Sequence, residues 1–299
     1  MSTSRPEPAE TTAVVPDDAA TRAAEGAAPP RWRRYVAVGD SFTEGMWDPY
    51  PATDGSAAGA PDAPLRGWAD RVADILSARR IAAGLPPLEY ANLAIRGRLL
   101  GTIVDQQVPA ALAAEPDLVS LVGGGNDVLR PQADIDLLSS RLEDAVAAIR
   151  ATGADVLVGT GFKAGAGLAW TRGRTGAYNA NIWSIARRHG AYVLDLWGMR
   201  SLYDLRMWSD DRIHLTPDGH RRVSQAALEA LGLERDDDTY DVPLEAAPPV
   251  AFSVRARADA QWVRTHVAPW VQRRIRGTST GDERVPKWPT PSSWPPARD

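Results

Sequence analysis

The chain has 299 residues, 32.2 kDa, with 44% hydrophobic and 24% charged residues, enough to bury the core of one large domain or two small ones. It has no cysteine, which excludes disulfides, thiolate metal sites and a cysteine nucleophile. A net charge of −4 and a pI near 5.7 give no global electrostatic case for nucleic acid as a partner.

Residues 1–30 are rich in Pro, Ala, Ser, Thr and acids and show no apolar period. Such a stretch cannot bury enough surface to offset its ordering entropy, so it reads as a disordered N-terminal segment. It lacks a basic stretch followed by an apolar core, so no signal peptide is expected and the cytoplasm is the default compartment. No apolar run approaches the length of a membrane span. From there, short apolar runs alternate with helical patterns. Strands are expected at 34–38, 89–94, 117–122, 154–159 and 192–196, each bounded by Gly, Pro or Asp and continuously apolar, as strands buried on both faces are. Helices are expected at 67–83, 99–114, 135–152, 175–189 and 217–231. Trp68, Val72, Ile75 and Leu76 follow one helix face; Gly153 and Gly190 stand where helix-closing glycines belong, and Thr216-Pro217 reads as an N-cap with proline at the first helical position.

Five such βα units predict an α/β fold: a flavodoxin-like three-layer α/β/α sandwich around a five-stranded parallel sheet, in strand order 2-1-3-4-5. The main folded unit spans 31–232. An acidic linker and a helix at 255–275, with Trp262, Val263, Val267, Trp270 and Val271 as a docking stripe, occupy 233–276, and 277–299 reads as a disordered Pro/Ser-rich tail.

In this architecture ligands sit beyond the carboxyl ends of the strands. The first strand runs into Gly39-Asp40-Ser41, placing a hydroxyl at a strand-to-helix turn; alone, a serine there is usually an N-cap. Gly97 follows the second strand and by itself is an ordinary turn glycine. Gly123-Gly124-Gly125-Asn126-Asp127 follows the third; it lacks dinucleotide spacing and a Walker lysine, leaving an Asx-type turn or an inward-pointing Asn126 amide. After the fifth strand, Asp211 and His214 stand three apart, so a carboxylate can hold Nδ1 of an imidazole and leave Nε2 to take a proton. His189 fits a helix C-terminus, His220 a first helical turn, and His266 the last helix. The His and acidic residues show no zinc-ligand spacing, and no cofactor is expected.

The order serine, glycine, asparagine, histidine on the ends of strands one, two, three and five resembles the SGNH (GDSL-type) hydrolase superfamily from about residue 34 to 231, most of all actinobacterial GDSL lipase/esterase-like members. Gly39-Asp40-Ser41, Gly97, Gly124-Gly125-Asn126-Asp127 and Asp211-Arg212-Ile213-His214 match its four blocks; the first reads GDSF rather than GDSL. The resemblance implies an ester hydrolase in which Ser41 is the nucleophile, His214 the base and then the acid, and Asp211 the residue orienting the imidazole. It implies an oxyanion hole of Ser41 N, Gly97 N and the Asn126 side chain, with Asp40, Gly125 and Asp127 structural beside it. The absence of a G-x-S-x-G elbow argues against an ordinary α/β-hydrolase.

The implied partner is a small-molecule ester, small or lipid-like, with neither nucleic acid nor a membrane span involved and a monomer as default. Sugar O-deacetylation or acyl transfer would use the same residues, and a non-catalytic binding module is the remaining alternative. Loops 46–66 and 162–175 are expected to line the acyl or alcohol pocket. Trp47 and Trp208 are candidates for its wall, whereas Trp68, Trp183 and Trp197 are expected in the core.

Overall fold

The computed structural model describes residues 31–50, 64–163, 165–276 and 278–296. Segment 1–30 and the middle of loop 46–66 lie outside the described residues. In chain order the elements are β1 (Arg34–Gly39), α1 (Ser41–Glu44), α2 (Gly67–Ala82), β2 (Glu89–Asn92) and α3, which joins Leu100–Thr102 and Val108–Ala113 through a π-turn at Ile103–Gln107. There follow β3 (Leu118–Val122), α4 (Gly125–Val128), α5 (Ile135–Ala151), β4 (Asp155–Gly159), α6 (Arg172–His189), β5 (Tyr192–Leu194) and α7 (Pro217–Ala230). The chain closes with α8, which starts as Phe252–Trp262 and continues through a π-turn (Val263–Val267) into Ala268–Ile275, and with β6 (Trp288–Ser293).

The strand order is β5-β4-β3-β1-β2-β6. The five expected strands are parallel and stand in the expected 2-1-3-4-5 order. Successive side chains of β1 enter different cores: Tyr35 and Ala37 pack with Trp68, Leu76, Val223 and Leu228 of α2 and α7, while Val36 and Val38 pack with Ile103, Leu142, Ile149 and Ile182 of α3, α5 and α6. Both faces of the sheet are therefore dry, which is why its strands read as continuous apolar runs. The expected caps form: Gly190 closes α6 at φ 63°, Gly153 follows α5 at φ 89°, and the Thr216 hydroxyl accepts from Gly219 N at the start of α7.

Three expectations are corrected. The sheet has six strands rather than five, because β6 pairs antiparallel with β2. Residues 277–299 are accordingly not a disordered tail throughout: Trp294, 1% exposed, packs edge-on against Tyr90 and donates to Asp74 Oδ1. Burying an indole of that size offsets the cost of ordering the strand that carries it. Trp183 is half exposed rather than in the core, because it follows Ile182 on α6 and a helix turns about 100° per residue away from the buried stripe. Trp68 is fully buried, as expected, and Trp197 is half-buried.

Candidate active site

β1 delivers the chain to the sheet edge and stops at Gly39, where an added Cβ would sit 2.6 Å from both Val122 O and Thr43 Oγ1, so only glycine passes. The cap of α1 is Asp40, whose carboxylate accepts from Phe42 N at 3.1 Å. Ser41 is thus the first helical residue rather than the cap, and its hydroxyl is free to face outward, 2.8 Å from His214 Nε2. Gln107 holds the turn from behind: its side-chain amide accepts from Gly39 N at 2.8 Å and donates to Gly39 O at 2.9 Å. The π-turn of α3 places that amide there, a use typical of such turns.

His214 and Asp211 share a loop pinched by the Trp208–Leu215 bridge. Asp211 Oδ1 accepts from the Ser209 hydroxyl, Ile213 N and His214 N at 2.8–3.0 Å. Its Oδ2 accepts from His214 Nδ1 at 2.6 Å and from Trp47 Nε1 at 2.9 Å. Burial pushes the Asp211 carboxyl up, but the His214 ring and these backbone N–H groups outweigh it and hold the group well below the usual carboxylate range. Asp211 is therefore an anion able to stabilise a protonated imidazole.

Beside Ser41, Gly97 occupies an exposed turn at φ 75°, which favours glycine. That turn is pinned to α1 by Arg96, whose backbone N–H and guanidinium both donate to the buried Glu44. The Asn126 side-chain amide donates to Asp40 Oδ2 at 3.2 Å and to Arg98 O at 3.1 Å. Asp127 accepts from Leu100 N and ties α4 to α3; Gly125 opens α4. Burial raises the Asp40 carboxyl to about 6, partly countered by the Phe42 N–H bond and by His214.

The Ser41 hydroxyl opens into a cavity of about 1570 Å³ between the sheet edge and α8. Trp208 is in its wall, packed edge-on against Phe162, which also lines it. Trp47 is not: its indole is turned onto Asp211, so it braces the carboxylate instead of forming the pocket. Several residues of loop 162–175, among them Lys163, Leu168 and Thr171, line the cavity. α8 closes the far side: Trp262 Nε1 donates to Asp211 O at 2.8 Å, and Arg212 pairs with Asp259 at 2.7 Å.

Gln107 and Glu44 escaped the sequence reading because each acts across a long separation without a local pattern; Trp262 was expected in a docking stripe, but its bond to Asp211 O has no local signal either. His220 is buried on α7, stacked on Phe42, with Nε2 donating to Met46 O at 3.2 Å. His189 meets Glu143 at the C-terminus of α6, and His266 lines the cavity on α8. Among the described residues no group of three or more His, Asp or Glu side chains could hold a metal ion, and no helix is long and apolar enough to cross a membrane.

A mostly parallel three-layer sandwich carrying serine, histidine and aspartate at the carboxyl edge of its sheet defines an esterase-type class of α/β proteins. The profile of the GDSL-like Lipase/Acylhydrolase family matches residues 37–222, and the chain belongs to that family, the carboxylic ester hydrolases of SGNH type. No curated protein sequence matches it significantly. Among solved structures it is similar to a variant of Axe2, an acetyl xylan esterase from Geobacillus stearothermophilus, at 22% identity and TM-score 0.56 over 69% of this chain and 97% of that one. LAE5, an alpha/beta hydrolase from the metagenome of Lake Arreo, Spain, is similar at 23% identity and TM-score 0.54, over 67% of this chain and 95% of that one. TesA is similar at 22% identity and TM-score 0.50, over 66% and 97%.

Proposed function

We propose that the protein hydrolyses small or lipid-like carboxylic esters through an acyl-enzyme on Ser41, with His214 and Asp211 completing the triad. The observation that carries this reading is the continuous relay from Ser41 Oγ to His214 Nε2 at 2.8 Å and from His214 Nδ1 to Asp211 Oδ2 at 2.6 Å. Ser41 Oγ attacks the ester carbonyl as its proton passes to His214 Nε2, and Asp211 stabilises the imidazolium. The carbonyl oxygen becomes an oxyanion facing Ser41 N, Gly97 N and the Asn126 amide, which exchanges its bond to Arg98 O for the oxyanion. One such donor supplies about 3 kcal/mol of transition-state stabilisation. Collapse returns the His214 proton to the leaving alcohol. Water then repeats the cycle in reverse sense, with His214 as base, and releases the carboxylic acid and free Ser41.

Labelling with a fluorophosphonate tests this. Wild type should label once and turn over p-nitrophenyl esters somewhere between acetate and palmitate, and Ser41→Ala should do neither while remaining folded. Folded wild type that neither labels nor turns over any ester would refute the reading. Sugar O-deacetylation is a second reading, supported by the acetyl xylan esterase among the structural neighbours. Release of acetate from acetylated xylan faster than hydrolysis of p-nitrophenyl acetate would favour it.

A further inference from the structure

The outer strand pair sets Asn92 of β2 opposite Trp288 of β6. The two run antiparallel, so the residues just before β6 lie beside those that leave β2 for the Gly97 turn. Residues 279–282 make that approach as a small closed turn: Asp282 Oδ2 accepts from Ser279 N at 2.7 Å, and Ser279 Oγ accepts from Gly281 N at 3.1 Å. This turn meets the Gly97 turn at three points. A Cβ added to the buried Gly281 would collide with Arg96 O and stand 3.0 Å from Ile95 Cγ2, so only glycine lets the backbone lie on that carbonyl. A Cβ added to Gly97 would collide with the Ser279 hydroxyl, which therefore covers Gly97 Cα. The Arg98 guanidinium lies 3.8 Å from Asp282 Oδ1. Ser279 and Asp282 also line the cavity into which Ser41 opens.

Gly97 N has no acceptor among the described residues, and a glycine has no side chain with which to anchor its own turn. Whatever packs on the turn therefore decides where that N–H points. An oxyanion donor acts only if it is held in place beforehand, and a misplacement of about 1 Å can cost about a hundredfold in rate. The Arg96 bonds to Glu44 fasten the turn to α1, and the 279–282 contacts fasten it to the chain entering β6. We infer that the 279–282 turn is a positioning element of the oxyanion hole, fixing Gly97 N beside Ser41 through Gly281 and Ser279. The inference rests on the ester-hydrolase reading above. It brings into the site residues that lie outside the span matched by the family profile, which ends at residue 222. It also gives β6 a second use: besides extending the sheet, it delivers this turn to the active site.

Two substitutions test this. Gly281→Ala drives a methyl group into Arg96 O, and Ser279→Ala removes the hydroxyl above Gly97. With a p-nitrophenyl ester that the wild type turns over, kcat should fall by about thirtyfold in Gly281→Ala and about fivefold in Ser279→Ala. KM should stay unchanged in both, because the oxyanion forms only in the transition state. A turn with a purely structural role would lower the melting temperature and leave kcat in place. That outcome overturns the inference while the hydrolase reading stands. If Gly281→Ala does not fold, Ser279→Ala decides alone. If the wild type turns over no ester, the hydrolase reading fails by itself, and the ¹⁵N order parameter of Gly97 still decides whether the turn is held. It should be about 0.85 in the wild type and below about 0.6 in Ser279→Ala. A flexible Gly97 in the wild type, or the same value in both proteins, removes the positioning role.

Discussion

Trp47 adopts a left-handed backbone conformation, φ 69°, which costs a non-glycine residue about 1 kcal/mol. The turn is held by Asp48 N on Gly45 O and by His220 Nε2 on Met46 O, and its product is an indole N–H aimed at Asp211 Oδ2. That oxygen also accepts from His214 Nδ1, so the indole shares the electron density that would otherwise go to the imidazole proton. Trp47→Phe keeps the ring and removes the donor. The carboxylate then keeps only the His214 Nδ1–H on Oδ2, and Asp211 is held less firmly in the position that orients the imidazole toward Ser41. kcat should fall by about fivefold with KM unchanged. A purely structural role would lower the melting temperature and leave kcat in place, and that outcome would remove Trp47 from the positioning of Asp211 and His214.

At the scale of elements, a buried charge pair adds to the ladder and the Trp294 packing that fasten β6 to the sandwich. Asp70, fully buried on α2, accepts from the Tyr50 and Tyr90 hydroxyls, Asn92 Nδ2, Trp288 Nε1 and Lys287 Nζ, the last at 2.9 Å. Lys287 also donates to Leu65 O and Arg66 O, and burial pushes its ammonium down against the attraction of Asp70. Lys287→Met leaves a carboxylate with no cation in a site without solvent, at a cost of about 3 kcal/mol. The urea midpoint should drop accordingly; an unchanged midpoint would show that the hydroxyl and indole donors suffice. None of this was legible in the sequence, because β6 reads WPTPSS, and prolines mark coil wherever a central strand needs its N–H groups. Pro289 and Pro291 are tolerated because β6 is an edge strand. The five inner strands were legible for the opposite reason: two covering layers force every position of β1 from Tyr35 onward and of β3 to be buried. The site divides in the same way. Ser41 and Asn126 follow β1 and β3 closely, and His214 stands on the loop that leads into α7, so the topology gathers them at one edge of the sheet. Trp47 reaches Asp211 across 164 residues and Gln107 reaches Gly39 across 68, so no local spacing announces either.

Across the whole molecule, Asp40 and His220 couple stability to pH in opposite senses. Both are buried within the layers around α1. Burial raises the Asp40 carboxyl to about 6, and burial lowers the His220 imidazole to about 3, with Arg71 and Lys287 adding to the fall and Met46 O opposing it. Between about pH 4 and 6 the folded state holds the Asp40 proton that the unfolded chain has lost, so this group's contribution to stability falls as pH rises. Over the same interval the unfolded chain carries a His220 proton that the folded state excludes, so that contribution rises with pH. Each slope is about 1.4 kcal/mol per pH unit, and in the wild type they cancel. Asp40→Asn should release the His220 slope: relative to wild type, its unfolding free energy should rise by about 1.4 kcal/mol per unit between pH 4 and 6. His220→Gln should show the mirror image, falling relative to wild type by a similar amount. Taking differences from wild type removes the contribution of carboxylates common to all three proteins, such as Asp237, which its bonds to Thr239 and Arg221 lower to about 2. Urea titrations at half-unit steps of pH measure both differences. Parallel curves for the three proteins would mean that neither buried group changes its protonation on unfolding, and that the interior around α1 is wetter than its packing shows.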